Sequence, residues 1–374
     1  MTHLEKEAPK QRIVYLDYLR ALAISSIILF HLSNRVNWMV FSQYSIIPSP
    51  DWFLIAFLAT CCKFGVDLFF MLSGALSLGR NWDIKTFLSK RIPRITWPFI
   101  FWATLLIFSM IALVEIFPAL TGIFVSYKIP FTMYPTNYLS LNFLRDCYFG
   151  NSYWFSQYWF FWTIFGTYLI MPIINKWICN SSMKEVEYFL VIWAVTCIFT
   201  YTLYTDFPID LTYFTGPIGV VILGYYLRYS ERKIFNSLKY ALIIMISGML
   251  MLLFVSYLLS SPLEIYKFQR YSILIIIEVT GIFLVFKNID KKELPVFHRE
   301  DGFLRKSSTL IAKYSYGIYL CHEVILNVFV ILLSRTLPLT AAVILIFLCT
   351  LCTCCAIMAT LNKVPYLNRI IGAK

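Results

Sequence analysis

Apolar residues run along this chain in long blocks rather than in alternation, and ten blocks approach the roughly 20 residues an α-helix needs to cross a bilayer. They lie at 13–34, 52–78, 96–118, 156–175, 187–205, 212–228, 239–260, 269–287, 309–334 and 338–361. Of the polar segments between them, 1–12, 79–95, 176–186, 228–239, 287–313 and 362–374 hold 24 of the 32 Lys and Arg. Cationic loops stay on the cytoplasmic side of a membrane. The pattern therefore predicts an all-α, polytopic membrane helical bundle of about ten transmembrane helices, with N- and C-termini cytoplasmic. One domain fills 1–374, with a short cytoplasmic N-terminus at 1–12, a basic cytoplasmic loop at 79–95 and a long extracytoplasmic loop at 119–155.

Composition narrows the class. The chain is 59% apolar and only 14% charged, against about 25% charged in soluble domains, so too few charges remain to wet a soluble surface. The net charge of +12 follows topology and does not imply nucleic acid. Nine of the ten cysteines lie in or near apolar runs, where a thiol acts as a small hydrophobe. The group at Cys349, Cys352, Cys354 and Cys355 lacks the polar support a metal site needs, so no metal is expected. No cleavage-like small-residue site follows the first apolar run, which reads as a retained helix.

Function must come from polar residues at membrane depth, where ionisable groups are costly and mark sites by default. In YLDYLRALAISSIILFHLSNR, Arg20 and His31 are eleven residues apart. At about 100° per residue they share a helix face, roughly 16 Å apart along the axis. Asp17, Asn34 and Arg35 fall in the same arc, and Asp17 can pair with Arg20 at i, i+3. An imidazole there suits proton abstraction from a hydroxyl. Lys63 and Asp67 can pair at i, i+4; Glu278 needs a partner from another helix; His322 and Glu323 lie past the middle of their segment. For these the bland alternative is an interhelical hydrogen bond.

The segment RNWDIKTFLSKRIPRITWPF carries a candidate cap, Asp83, and a basic rim of Lys90, Arg91 and Arg94. The rim suits either lipid headgroups or the phosphates of a nucleotide-type donor. Upstream, Ser73 and Gly74 stand late in the second apolar segment, where small residues permit close approach, and Ser73 is a weaker nucleophile candidate because no Gly-x-Ser-x-Gly elbow surrounds it. The aromatic run YWFSQYWFFW reads as an interfacial belt or as a sugar-stacking surface.

In order along nearly the whole chain, YLDYLRALAISSIILFH, GVDLFFMLSG, KRIPRITWPF, YWFFWTIFGTYLIMPII, LGYYL and SYGIYLCHEVIL resemble the integral-membrane acyltransferase family 3. Members transfer acyl groups, usually acetyl from acetyl-CoA, to sugar hydroxyls of surface polysaccharides or lipid-linked glycans in the bacterial inner membrane. The resemblance implies His31 as catalytic base, Arg20 as its partner in the helix, Arg91 and Arg94 as donor-handling residues, and His322 in the closing motif. Asp17 or Glu278 is expected to orient or balance charge, with Lys90 and Ser73 beside the donor. The implied partners are acetyl-CoA, a glycan or lipid-linked sugar acceptor and membrane lipids. Pro93 interrupts the basic motif, which puts the helical geometry of the Arg pair in question. Without the esterase-like domain some members carry, the acceptor is expected to reach the membrane domain itself.

Two other classes fit ten helices with buried charge. A transporter or flippase of a glycan or small polar solute would carry inverted repeats and helices broken by Gly or Pro, and neither is evident. A non-catalytic assembly partner of an export system would lack acyl transfer altogether.

Overall fold

The computed structural model describes residues 13–41, 50–116, 140–205, 208–211, 216–260, 265–334 and 336–373. Among them no strand occurs. The helices are α1 Val14–Phe41, α2 Pro50–Cys61, α3 Gly65–Ser77, α4 Ile84–Ile116, α5 Leu141–Phe149, α6 Trp159–Asn180, α7 Met183–Cys197, α8 Pro217–Tyr229, α9 Leu238–Leu259, α10 Ile273–Lys291, α11 Pro295–His298, α12 Phe303–Leu333, α13 Leu339–Leu361 and α14 Leu367–Ile370. A 3₁₀ stretch at Tyr153–Tyr158 precedes α6, and a π-helical stretch at Ile198–Leu203 extends α7.

Among the described residues, helices fall in each of the ten apolar segments, and seven spans are long and apolar enough to cross a membrane. The three others are α6, α8 and α10. Helix α8 has 13 residues, and α10 carries Glu278, Lys287 and Asp290. The architecture is that of an all-α polytopic membrane bundle.

Local sequence sets the helix ends. Asp83 caps α4 as its position suggested: Oδ1 accepts from the Thr86 backbone N–H at 2.7 Å and Oδ2 from the Thr86 hydroxyl at 2.6 Å. Those bonds satisfy donors that a helix start leaves open and hold the exposed Asp83 carboxyl below its usual range. Ser182 and Glu185 form a reciprocal capping box on α7.

Three boundaries differ from the sequence reading. The segment 52–78 breaks at residues 62–64 into α2 and α3. The basic segment 79–95 is a connection only to Asp83, because α4 begins at Ile84 and runs through Pro93 and Pro98. Of the segment 119–155, residues 119–139 lie outside the described ones, and the remainder folds as α5 and the 3₁₀ stretch.

Helix α1 lies at the centre, packed on α2, α3 and α12. Two thirds of its most apolar stretch is buried, against 17% of that in α9, whose Ile243, Ile246, Leu250, Phe254 and Leu258 stay exposed as a lipid-facing surface requires. Close crossings need glycine. A Cβ on Gly74 of α3 would stand 1.8 Å from the Val221 carbonyl oxygen of α8, and one on Gly224 of α8 would stand 2.0 Å from that of Met71. The small residue predicted beside Ser73 thus serves helix packing.

Candidate functional site

The polar face of α1 opens onto two cavities. The first holds about 910 Å³ of empty space and is lined by Arg20 of α1, Ser73 of α3, Arg91 and Arg94 of α4, and Arg369 of α14, above an apolar wall that includes Phe69, Leu72, Leu76, Ile95 and Ile164. The second, about 1670 Å³, is lined by His31, Asn34 and Arg35 of α1 together with Lys63, Trp159, Tyr201, Lys267, Arg270 and Glu323. Tyr319 of α12 lines both. Its hydroxyl donates to the Gln157 backbone carbonyl at 2.6 Å, and its ring lies 4.9 Å from that of Phe160. The shared face of Arg20 and His31 therefore meets two chambers that have Tyr319 in common.

In the arginine cavity, Arg20 donates to Asp17 Oδ1 at 3.0 Å, the i, i+3 pair expected from spacing. Asp17 is buried, and the pairing offsets part of the cost of placing both charges in the bundle. Because α4 stays helical across Pro93, Arg91 and Arg94 sit three residues apart on one face and line the same cavity. The geometry that Pro93 put in question is thus retained. Arg91 also donates to the Ser77 hydroxyl at 2.9 Å. Lys90 is exposed and does not line the cavity. Ser73 does, with its hydroxyl bonded back to the Phe69 carbonyl at 3.0 Å, and no base lies among its hydrogen-bond partners.

In the histidine cavity, His31 Nδ1 lies 2.9 Å from Glu323 Oε2. Glu323 is fully buried and its other oxygen takes the Arg35 guanidinium. His322 is also fully buried: Nδ1 is 2.7 Å from the Tyr319 carbonyl, Nε2 is 3.6 Å from Glu323, and its ring is 5.2 Å from that of His31. One carboxylate thus lies beside two imidazoles and neutralises one guanidinium. The ligand atoms of His31, His322 and Glu323 lie within 4.8 Å of one another, so among the described residues these could hold a metal ion. Engagement of Glu323 by Arg35 makes the cluster ion-paired without any bound ion.

Other candidates fall elsewhere. Glu278 is buried beneath α9, its backbone against Gly248, and lines neither cavity. The carboxylate that meets His31 is Glu323. Lys63 donates to the Phe268 carbonyl and lies 5.6 Å from the Phe30 ring, whereas Asp67 Oδ1 has no hydrogen-bond partner, so the expected i, i+4 pair is not made. Of the aromatic run, Trp154, Phe155, Tyr158 and Phe161 are core residues, Phe160 walls the arginine cavity, and Trp159 lines the histidine cavity under Arg270. Cys354 is buried while Cys352 is exposed, which separates the cysteines of that group.

A family model described as an acyltransferase domain, acyltransferase family 3, matches residues 13–359. No curated protein and no solved structure matches the chain.

Proposed function

The chain belongs to acyltransferase family 3, the family shown by that match, and on this premise we propose that it is an O-acetyltransferase moving acetyl from cytoplasmic acetyl-CoA to a hydroxyl of a surface or lipid-linked glycan. The observation that carries the reading is the His31–Glu323 contact in a cavity that shares only a tyrosine wall with an arginine-lined one. In this reading the arginine cavity faces the cytoplasm and the histidine cavity the opposite side of a bacterial inner membrane.

The arginine cavity suits an acyl-CoA chemically. Arg20, Arg91, Arg94 and Arg369 offer planar forks to phosphates, and the apolar wall suits a pantetheine arm. With Nδ1 held by Glu323, His31 keeps Nε2 as its acceptor. His31 takes the hydroxyl proton through Nε2 as the acceptor oxygen bonds to the thioester carbonyl carbon. The carbon–sulfur bond then breaks, and His31 returns that proton to the departing thiolate. Glu323 stabilises the imidazolium in between, as a buried carboxylate does for a catalytic histidine. Tyr319 stands where the thioester must pass.

The test is acetyl-CoA-dependent acetylation of a sugar hydroxyl by the purified protein in proteoliposomes, read by mass spectrometry. Loss in His31→Ala at normal protein level supports the proposal. Solute transport without acetylation would refute it.

A further inference from the structure

The charge pattern of the chain leaves six Lys and Arg in the segments opposite the basic ones: Arg35, Lys128, Arg145, Lys267, Arg270 and Arg335. Lys128 and Arg335 lie outside the described residues, and Arg145 pairs with Asp146 at 3.1 Å. The other three all line the histidine cavity, joined by Lys63 from within the bundle. Glu323, the carboxylate in the described lining, is engaged by Arg35 and His31, while Lys267 donates to Asn34 and Lys63 to the Phe268 carbonyl. Cations on the disfavoured side of a membrane protein, converging on one chamber, point to an anion that enters it.

The cations are held by a built structure. Residues 265–272 fold inward, with Ile265, Phe268 and Ser272 buried. Side chains of neighbouring elements fasten this segment: Ser256 donates to the Tyr266 carbonyl at 2.9 Å, Ser260 accepts from the Tyr266 N–H at 2.8 Å, and Lys63 bonds the Phe268 carbonyl. Tyr271 takes φ of 66°, a conformation costly for a non-glycine residue and kept only where its surroundings enforce it. The result sets Lys267 2.7 Å from Asn34 Oδ1, beside the His31 helix turn, and stacks Arg270 3.4 Å over the Trp159 ring. A guanidinium stacked by its face keeps its N–H donors in plane for a ligand.

We infer that the acceptor is an anionic saccharide whose carboxylate or phosphate is held by Arg270 and Lys267 while a hydroxyl reaches His31. Trp159 and Tyr201 supply aromatic surface for the sugar ring. The inference rests on the acyltransferase reading for the reaction, and on charge alone for the choice of acceptor.

The experiment compares methyl glucoside, methyl glucuronoside and methyl glucoside 6-phosphate as acceptors for the detergent-purified protein with acetyl-CoA. At least one charged acceptor should exceed the neutral one by about tenfold in kcat/KM, the value of one charge-assisted contact, and the advantage should shrink with added salt. Preference between the two charged sugars identifies the anion. In Arg270→Gln and Lys267→Gln, KM for the charged acceptor should rise far more than KM for acetyl-CoA. Equal use of the neutral sugar by the wild type, or variants that move only the acetyl-CoA KM, would overturn the inference. If no sugar is acetylated, the acyltransferase reading is what fails, and equilibrium binding of the same three probes decides the charge question. Charged probes bound by the wild type and released by Arg270→Gln uphold an anionic site, and no binding overturns it.

Discussion

His31 and Glu323 stand 292 positions apart in sequence and 2.9 Å apart in space. The contact joins α1 to α12, and Glu323 has no exposed surface. Burying a carboxylate unpaired costs several kcal/mol, so this one is held in place by Arg35 on one oxygen and His31 on the other. Under the proposed mechanism Glu323 has two separable roles: balancing Arg35 for stability, and fixing the imidazole for proton transfer.

Substitution can part these roles. Glu323→Gln keeps the shape but takes the carboxylate charge away from Arg35, which should destabilise the protein by about 3–5 kcal/mol and lower kcat by about 10²-fold or more. Adding Arg35→Met should restore much of the melting temperature in detergent without restoring turnover. Recovery of kcat in the double variant would mean that Glu323 only balances Arg35. His31→Ala, which leaves the Arg35 pair intact, should lose about 10²–10⁴ in kcat with a smaller effect on melting.

Much of this site was legible in the sequence because it is local. The i, i+3 spacing predicted the Asp17–Arg20 pair, the eleven-residue interval put Arg20 and His31 on one face, and Asp83 stood where a cap belongs. The arrangement that is not local was not legible. Nothing in SYGIYLCHEVIL says that Glu323 rather than Glu278 or Asp17 meets His31, since that depends on how α12 packs on α1. A single apolar run at 52–78 does not announce a break at 62–64, because Cys62 and Phe64 are as apolar as their neighbours. Lys63 follows from that break: its ammonium turns to the Phe268 carbonyl, away from the i+4 partner an unbroken helix would give it. Pro93 misled in the other direction. Placed late in the third turn of α4, it costs one backbone bond, which a long packed helix tolerates.

The arginine cavity predicts how donor binding fails. Arg94→Gln removes a phosphate fork, so KM for acetyl-CoA should rise by about tenfold with little change in kcat. Arg91→Gln should do the same and also lose the bond to Ser77. Lys90→Gln should leave the donor KM unchanged, because Lys90 lies outside the lining. Acetyl-pantetheine, which lacks the nucleotide phosphates, should show none of these differences. Equal effects on both donors would mean that the arginines act on the fold instead.

Helix packing predicts a stability effect with no chemical component. Gly74→Ala would drive a methyl group into the Val221 carbonyl oxygen, a backbone atom that cannot swing aside. Overpacking of this kind costs about 1–3 kcal/mol or more, seen as lost monodisperse protein on size exclusion and a lower melting temperature. Gly166→Ala is the control: no atom lies within 4 Å of its added Cβ. It should be neutral, or stabilise α6 by up to about 1 kcal/mol. Similar losses in both variants would remove the close α3–α8 crossing as the cause.

Tyr319 forms wall for both cavities, and its two functions can be read separately. Tyr319→Phe keeps the ring against Phe160 and loses only the 2.6 Å bond to the Gln157 carbonyl, a cost of about 1 kcal/mol. Acetyl transfer in this variant should persist. Tyr319→Ala removes the ring and merges the chambers, so water from the histidine cavity gains a path to the thioester. Thiol release from acetyl-CoA without acceptor should therefore rise in Tyr319→Ala and stay at the wild-type level in Tyr319→Phe, followed with a chromogenic thiol reagent. Should Tyr319→Ala transfer acetyl to sugar as well as the wild type, with no added hydrolysis, the ring would not be what separates donor from water.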